Sequence, residues 1–365
     1  MRALWLLFLP AILYQGLAIF ACLRQLVRRR PAAGTDGVSV LKPLRGLDPN
    51  TVEAFVSQMT QTHPQFEVLF GARDEQDPAA LEVARLLRES PQTAARLVIG
   101  GSETPNGKVG LLVELSRQAR YPLRVVNDSD IKVDAGYLAA VTAPLTDPGI
   151  GVITCLYRVK AHNVEAAWEA LGIMTDFMPS TMVAQLIGVR EFGLGSTLAF
   201  RAADLEKVGG FEGFGDYIAD DYQLAKRITA LGKRVLLSTY VVETALGDAT
   251  WLGVWRHQLR WARTIRLSKG AAHLGLPITQ AGLWILIAAC CGAAPAAGLL
   301  TALRVFCALV AGLVLRSPLA AAFCWLSPLW DLYAFTVWIA SYCGRTVQWR
   351  DRTLTIGPNG RILKL

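Results

Sequence analysis

The sequence predicts an α/β domain with a mostly parallel central sheet, flanked by N-terminal and C-terminal transmembrane helices. Three observations lead to this prediction. Of the 365 residues, 53% are hydrophobic and only 18% are charged, whereas soluble domains carry roughly 25% charged residues. The longest apolar runs lie at the two ends of the chain. Between them, short apolar runs alternate with helical patterns, which is typical of strands joined by crossover helices.

The first 30 residues are predicted to form a membrane anchor. Ala3 to Leu23 is an apolar run that is long enough to span a bilayer. A cleaved signal peptide is the alternative, but the arginines follow this run and no small-residue cleavage site is evident. These arginines stand at positions 24, 28, 29 and 30. By the positive-inside rule, they predict that the domain which follows lies in the cytoplasm.

The C-terminal third is predicted to return to the membrane. Residues 251–275 are basic and aromatic, which is typical of an interfacial amphipathic helix. Residues 276–345 are predicted to form C-terminal membrane helices, near 279–300 and 303–325, with a partly interfacial piece near 328–343. The basic tail, residues 346–365, is expected in the cytoplasm, which requires an even number of C-terminal spans. Asp331 interrupts the apolar sequence and is expected at the membrane interface rather than as a buried partner.

Composition excludes several other classes of protein. The apolar content argues against disorder. The seven cysteines form no CxxC pair and no Cys/His cluster, so neither a disulfide framework nor a zinc site is expected. No nucleic-acid partner is expected.

The middle domain, residues 31–250, carries the alternation of strands and helices. Strands are predicted over residues 38–44, 66–72, 96–99, 123–127 and 151–157. Helices are predicted from Asp48-Pro49 onward, over 78–89 and 108–120, and from Asp220 to about residue 231. Ligands of such sheets bind beyond the carboxyl ends of the strands. The polar residues at those ends are therefore the candidates for function.

Three sets of carboxylates meet this criterion. Asp74 closes the second predicted strand, and Asp128-Ser129-Asp130 closes the fourth. Two carboxylates one residue apart suit Mg²⁺ or Mn²⁺, and such a cation would neutralise a departing nucleoside diphosphate. Asp220-Asp221 opens a helix, where one carboxylate could accept a proton from a substrate hydroxyl. The simpler alternatives are a turn at Asp128-Ser129-Asp130 and a favourable interaction with the helix dipole at Asp220-Asp221.

Taken in order, the motifs of this chain resemble those of the ceramide glucosyltransferase family. They lie at Val38–Asn50, Asp74–Pro78, Asn127–Val133, Tyr217–Tyr222 and Leu259–Trp261, and the resemblance covers about residues 38–265. The form of residues 192–197 and of Asp220-Asp221 is closer to the bacterial hopanoid-associated branch than to the animal ceramide enzymes.

The resemblance implies a GT-A fold on the cytoplasmic face of a bacterial inner membrane, in a multi-pass protein. It implies an inverting enzyme that moves a hexose or N-acetylhexosamine from a UDP-sugar to the hydroxyl of a membrane lipid, a hopanoid or ceramide. A divalent cation, Mg²⁺ or Mn²⁺, would be the cofactor. By position in the motifs, the resemblance assigns nucleotide contact to Asp74, metal binding to Asp128 and Asp130, the catalytic base to Asp221, and substrate or nucleotide binding to Lys108, His257, Arg260 and Trp261.

The sequence departs from the family at two places. His257 stands where the family's (Gln/Arg)-x-x-Arg-Trp motif has Gln or Arg, and Gln258 comes one place late. After the third strand, only Lys108 remains of a Lys-x-x-Asn-Leu pattern. Two alternatives stay open: a polyprenyl-phosphate sugar or polysaccharide glycosyltransferase, and a non-catalytic membrane receptor or transport component.

Overall fold

The computed structural model describes residues 2–29, 34–48, 50–349 and 352–364. They group into two compact units. The sheet unit takes residues 29–157 and 189–245, and the helical unit takes residues 1–28, 158–188 and 246–365. The domain boundaries expected from the sequence stay predictions.

The helices and strands follow the chain in this order. In the described residues the α-helices are α1 (Arg2–Val27), α2 (Thr51–Met59), α3 (Pro78–Glu89), α4 (Gly107–Gln118), α5 (Tyr137–Thr142), α6 (Val164–Gly172), α7 (Met178–Leu186), α8 (Ala202–Lys207), α9 (Asp220–Ala230), α10 (Trp251–Lys269), α11 (Ala281–Cys290), α12 (Ala294–Leu315), α13 (Pro318–Ala322) and α14 (Ser327–Ser341). The strands are β1 (Val38–Pro43), β2 (Phe66–Ala72), β3 (Ala95–Ile99), β4 (Leu123–Val126), β5 (Ile150–Ala161), β6 (Leu198–Arg201), β7 (Arg234–Leu246), β8 (Thr346–Trp349), β9 (Arg352–Ile356) and β10 (Ile362–Lys364).

The central sheet has seven strands in the order β3-β2-β1-β4-β6-β5-β7. The first four strands of this order are parallel, whereas β6 runs antiparallel to both of its neighbours. The predicted mostly parallel sheet is therefore confirmed. Every residue of β1 and of β4 is buried, as expected for parallel strands in the middle of a covered sheet.

Side-chain caps fix where two helices of the sheet unit begin. Asp77 accepts a hydrogen bond from the backbone N–H of Ala79, with Pro78 in the first turn of α3. Asn106 caps α4 by accepting from the backbone N–H groups of Lys108 and Val109. This cap places Lys108 in the first turn of α4, at the carboxyl-terminal edge of the parallel strands.

The helix after β1 begins later than the sequence predicts. The sequence predicts a helix that begins at Asp48-Pro49, but the N-cap is Asn50, in the left-handed conformation with φ of 62° and no hydrogen bond from its side chain. Thr51 is the first helical residue. Pro49, the other residue of that prediction, lies outside the described residues, as do Arg30 of the arginine cluster and Arg350 of the tail.

The helical unit contains the apolar helices. Phe8 and Ala11 of α1 pack with Ala288, Ala296 and Leu300 in one buried cluster. In the described part of the chain, two helices are long and apolar enough to cross a membrane, within α1 and over α12. The segment from α10 through α11, which is bent by 43°, makes a third if it counts as one span.

The break between the C-terminal helices differs from the prediction. Helices were expected near 279–300 and 303–325, but α11 ends at Cys290 and α12 runs on to Leu315, across the predicted gap. The break falls at Gly292, whose φ is 68°, and Pro295 stands in the first turn of α12. A left-handed glycine followed by an N-terminal proline is a helix stop and start.

Asp331 is buried, and the prediction of an interfacial position is wrong. Its two carboxylate oxygens accept a bidentate pair of bonds from Arg304 of α12, at 2.7 and 2.8 Å. Arg304 also donates to the carbonyl of Thr175 at 2.8 Å, and Asp331 accepts from the backbone N–H of Gly282 at 3.0 Å. One ion pair thus joins α11, α12, α14 and the helical turn after α6.

The tail, expected only as a basic segment, forms the antiparallel sheet β10-β9-β8.

We predict that Asp331→Leu lowers the free energy of unfolding by about 3–5 kcal/mol, because it leaves a buried guanidinium without its carboxylate. Thermal unfolding of the full chain in detergent, followed by tryptophan fluorescence, measures this loss.

The control combines Asp331→Leu with Arg304→Met. Removing both charges is often neutral for a buried pair, so the double variant should recover most of the stability. A double variant as unstable as the single one would contradict the role given to the pair.

Candidate active site

The candidate active site of the sheet unit is built on the buried ammonium of Lys42. Leu41 of β1 is paired with Val126 of β4, so Lys42 lies beside Asn127, the first residue after β4. The Nζ of Lys42 donates to Oδ1 of Asn127 at 3.1 Å and to the backbone carbonyls of Asp128 and Ile131 at 2.8 and 3.4 Å. Through these three hydrogen bonds, Lys42 holds the turn that carries Asp128 and Asp130.

Lys42 is fully buried. Burial lowers the pKa of its ammonium to about 7, although the negative charges of Asp130 and Asp128 act in the opposite direction. An uncompensated buried charge is costly, so the surrounding oxygens are what permit this lysine in the sheet. Sequence reasoning gave Lys42 no role. The signal was a single charged residue in a strand that is otherwise uncharged.

Lys108 connects two acidic sites, the turn with Asp128 and Asp130 after β4 and the pair Asp220-Asp221 at the start of α9. Its Nζ lies 2.8 Å from Oδ1 of Asp128 and 3.0 Å from Oδ2 of Asp220. Burial alone would lower the pKa of Lys108, but these two carboxylates raise it well above its usual range. Lys108 therefore bridges the end of β4 and the start of α9. The ion pair of Asp220 was not foreseen from the sequence.

Asp221 has the environment of a general base. Its Oδ2 accepts from the backbone N–H of Gly195 at 3.1 Å, and its Oδ1 accepts from that of Tyr222 at 2.7 Å. Burial, and then the charge of Asp220, raise the pKa of Asp221 to about 7, while Lys108 acts against this shift. A carboxyl group with a pKa near neutrality is suited to take a proton from a hydroxyl.

Gly195 lies between the two acidic sites. Its carbonyl accepts from the backbone N–H of Asp128 at 3.1 Å, and its own N–H reaches Asp221. A Cβ at this position would stand 2.7 Å from Oδ2 of Asp128, so any larger residue would push the carboxylate of Asp128 aside. The neighbouring Gly193 meets the same limit, since a Cβ there would lie 2.7 Å from the carbonyl oxygen of Asp221.

Asp130 and Asp74 differ in their surroundings. The hydroxyl of Thr244, on β7, donates to Asp130, and burial together with the charge of Asp128 raises the pKa of Asp130. Asp74 is exposed at the end of β2 and accepts from the backbone N–H of Gln76 at 2.9 Å. Among the described residues, Asp74 forms no ion pair with the cluster around Lys108, so its predicted nucleotide contact stays a prediction.

The other predicted residues, His257, Arg260 and Trp261, lie on α10 in the helical unit. The Nδ1 of His257 is 2.6 Å from Oε1 of buried Glu169, and Nε2 of Gln258 donates to the same oxygen at 2.7 Å. The ring of Trp261 packs against that of His257, with the ring centroids 4.9 Å apart. Glu169, which sequence reasoning missed, therefore gives both residues of the altered motif a shared partner.

The carboxylates at the end of β4 are possible ligands of a divalent cation. In the residues that the structure describes, no three His, Cys, Asp or Glu side chains cluster to hold a metal ion. Asp128 and Asp130 supply carboxylate oxygens, which are hard ligands. Mg²⁺ commonly uses one or two carboxylates together with phosphate oxygens of the substrate. The residues thus fit a cation shared with a bound diphosphate, and not an all-protein metal site.

Comparison with solved structures gives the class of the fold. A mannosyltransferase from Pyrobaculum calidifontis, in complex with GDP-Man and Mn²⁺, matches with a TM-score of 0.57 and 21% identity, over 92% of this chain and 99% of that one. The predicted GT-A glycosyltransferase fold is confirmed. The model of Glycosyl transferase family 21 matches residues 3–362, and the chain belongs to that family.

Curated relatives agree with this assignment. Ceramide glucosyltransferase 1 of Caenorhabditis elegans is 29% identical over 236 residues, which are 64% of this chain and 50% of the relative. Ceramide glucosyltransferase 3 of the same organism is 28% identical over 208 residues, 56% of this chain and 45% of the relative. The resemblance to the ceramide glucosyltransferase family is confirmed, and with its apolar helices the chain is a membrane protein. It spans about half the length of the curated relatives it matches.

The raised pKa of Asp221 predicts a pH-dependent effect on stability. Its pKa is about 7 in the folded state, against an ordinary value of 3.8 for an aspartate side chain. Between these values the folded state binds more protons, so this group's contribution to stability is lost as the pH rises through that window. The difference in melting temperature between Asp221→Asn and the wild type should therefore be more positive at pH 8 than at pH 5, as measured by thermal unfolding.

Asp36→Asn is the matched control, since Asp36 is an exposed carboxylate of the same unit. It should shift the melting temperature equally at both pH values. An equal shift for Asp221→Asn would contradict the raised pKa.

Proposed function

We propose that this chain is a membrane-bound inverting glycosyltransferase that moves a hexose or N-acetylhexosamine from a UDP-sugar to the hydroxyl of a membrane lipid. The observation that supports it most is the Lys108 bridge, which joins Asp128 to the Asp220-Asp221 pair. A cation-binding carboxylate and a base of raised pKa then lie in one site, as transfer from a nucleoside diphosphate sugar requires.

Each residue of the site has one task in this reaction. Asp221 takes the proton of the acceptor hydroxyl, whose oxygen attacks the anomeric carbon on the face opposite to the departing UDP. Asp128 and Asp130 would hold the divalent cation, Mg²⁺ or Mn²⁺, which supplies positive charge to the leaving diphosphate when bound. Gly195 links the backbone of Asp128 to the carboxylate of Asp221 through its own carbonyl and N–H.

The lipid acceptor is proposed from the apolar helices and the names of the curated relatives. A hopanoid and a ceramide both offer a hydroxyl attached to an apolar body. The arginines after α1 support a catalytic domain on the cytoplasmic face of a bacterial inner membrane. Substrate binding by His257, Arg260 and Trp261 and nucleotide contact by Asp74 belong to the same proposal. Family membership favours an enzyme over a receptor or transport component.

The full chain in lipid vesicles should form a glycosylated lipid when UDP-glucose and UDP-N-acetylglucosamine are supplied in separate reactions, as measured by mass spectrometry of the lipids. Asp221→Asn should lower the single-turnover rate by about 10²–10⁴-fold, the usual contribution of a general base. Donor binding, measured by titration, should survive because the amide keeps the shape of the side chain.

Asp220→Asn is the matched variant. It leaves the base in place, but it weakens the hold on Lys108 and removes the charge that helps to raise the pKa of Asp221. Its single-turnover rate should therefore fall less than that of Asp221→Asn, and part of its loss should appear in donor binding. The assignment is wrong if Asp221→Asn reacts at a near-normal rate, or if Asp220→Asn is the variant that binds donor without reacting. Absence of a glycosylated lipid with either donor would contradict the proposed function.

A further inference from the structure

The position of Lys108 has a consequence for how the site binds its ligands. The ammonium lies 2.8 Å from Oδ1 of Asp128, which is the ordinary distance of a charge-assisted hydrogen bond. The other oxygen of the same carboxylate, Oδ2, lies on the side of Gly195, 2.7 Å from where a Cβ at that position would stand. Lys108 therefore occupies one of the two oxygens that Asp128 can offer to a cation.

A divalent cation and the Lys108 ammonium compete for this oxygen. Both are positive, and both would stand within a few ångströms of each other on one carboxylate, where their repulsion is strong in a partly desolvated site. The Lys108 side chain is only 15% exposed, so water screens little of that repulsion. A cation on Asp128 thus requires Lys108 to move away from it.

Lys108 has somewhere to move. Its second partner, Asp220, is only 9% exposed and lies 3.0 Å away, so the ammonium keeps one carboxylate when it leaves Asp128. The lysine side chain is a flexible four-carbon stem with a compact charge, and it is a common ligand of phosphate groups. A diphosphate entering beside Asp128 would give the ammonium a new anionic partner.

We propose that Lys108 acts as an internal cation which blocks Asp128 until a nucleoside diphosphate draws it away, so that metal and nucleotide bind cooperatively. This inference rests on the proposed function, because it needs the cation at Asp128 and Asp130. Each ligand alone binds weakly. The metal must displace Lys108 from Asp128. The diphosphate, once it has drawn Lys108 away, lies beside the negative charge of Asp128 with no metal to neutralise it. Together each removes the obstacle to the other, and the coupling is reciprocal.

The test measures Mn²⁺ binding to the full chain in detergent by electron paramagnetic resonance, without nucleotide, with UDP and with GDP. For the wild type, UDP or GDP should tighten Mn²⁺ binding by about 10-fold or more, within the usual range of coupling between sites. Lys108→Met should bind Mn²⁺ about 10-fold more tightly than the wild type without nucleotide, and the effect of nucleotide should shrink correspondingly.

Two further variants separate this role from a general effect of charge. Lys132→Met removes the same charge from the turn after Asp130, where Lys132 pairs with Glu53, and should leave both affinities close to the wild type. Lys108→Arg keeps a cation beside Asp128 and should keep the weak binding of metal alone. Melting curves confirm that each variant is folded, and Lys108→Gln replaces Lys108→Met if the latter is not.

The outcomes distinguish the two proposals. If Lys108→Met binds Mn²⁺ no more tightly than the wild type, or if Lys132→Met has the same effect, the internal-cation role is overturned while the proposed function stands. If the wild type binds no Mn²⁺ in the presence of UDP or GDP, the metal-dependent function is wrong and this inference falls with it.

Discussion

The candidate site depends on one buried cation, the ammonium of Lys42, and on the oxygens around it. Lys42 is the last residue but one of β1, a strand paired on both sides, so its backbone cannot shift without disturbing the sheet. Burying a charge is costly unless it is hydrogen-bonded, and the turn after β4 supplies the required oxygens. The same contacts fix the direction of Asp128 and Asp130. The cost of the buried lysine is thus offset by the turn, and the turn takes its shape from the lysine.

The other parts of the site are arranged around that turn. Asp128 is held at two points, by the ammonium of Lys108 at Oδ1 of its carboxylate and by the carbonyl of Gly195, which accepts from its backbone N–H. Gly195 also reaches Asp221, so a displacement of the turn after β4 would reach the proposed base through the glycine. Burial beside like charge gives Asp221 its raised pKa, and such a group destabilises the fold in its ionised form. The property that suits Asp221 to catalysis is therefore maintained by the rigidity of its neighbours.

Local signals in the sequence predicted much of the parallel half of the sheet. The strands β1 to β4 and the helices α3, α4 and α9 follow from apolar runs and helical patterns, which act within a few residues. The antiparallel strand β6 has only four residues, and its pairing with β4 depends on distant sequence. The roles of Lys42 and Asp331 were missed for the same reason: Asn127 lies 85 residues from Lys42, and Arg304 lies 27 residues from Asp331. A charged residue in an apolar segment signals a buried partner without identifying it.

Hydrogen exchange of the turn after β4 in the Lys42→Met variant measures whether the buried ammonium holds that turn in place. The backbone N–H of Asp128 donates to the carbonyl of Gly195, and that of Ile131 donates to the carbonyl of Asp128 within the turn. Their exchange therefore reports whether the turn is held. We expect both to exchange about tenfold faster or more, since a hydrogen bond from a charged donor contributes roughly 1.5–3 kcal/mol, while the amides of β1 and β2 stay protected. Unchanged exchange at Asp128 and Ile131 in a folded Lys42→Met variant would show that the ammonium of Lys42 does not hold the turn.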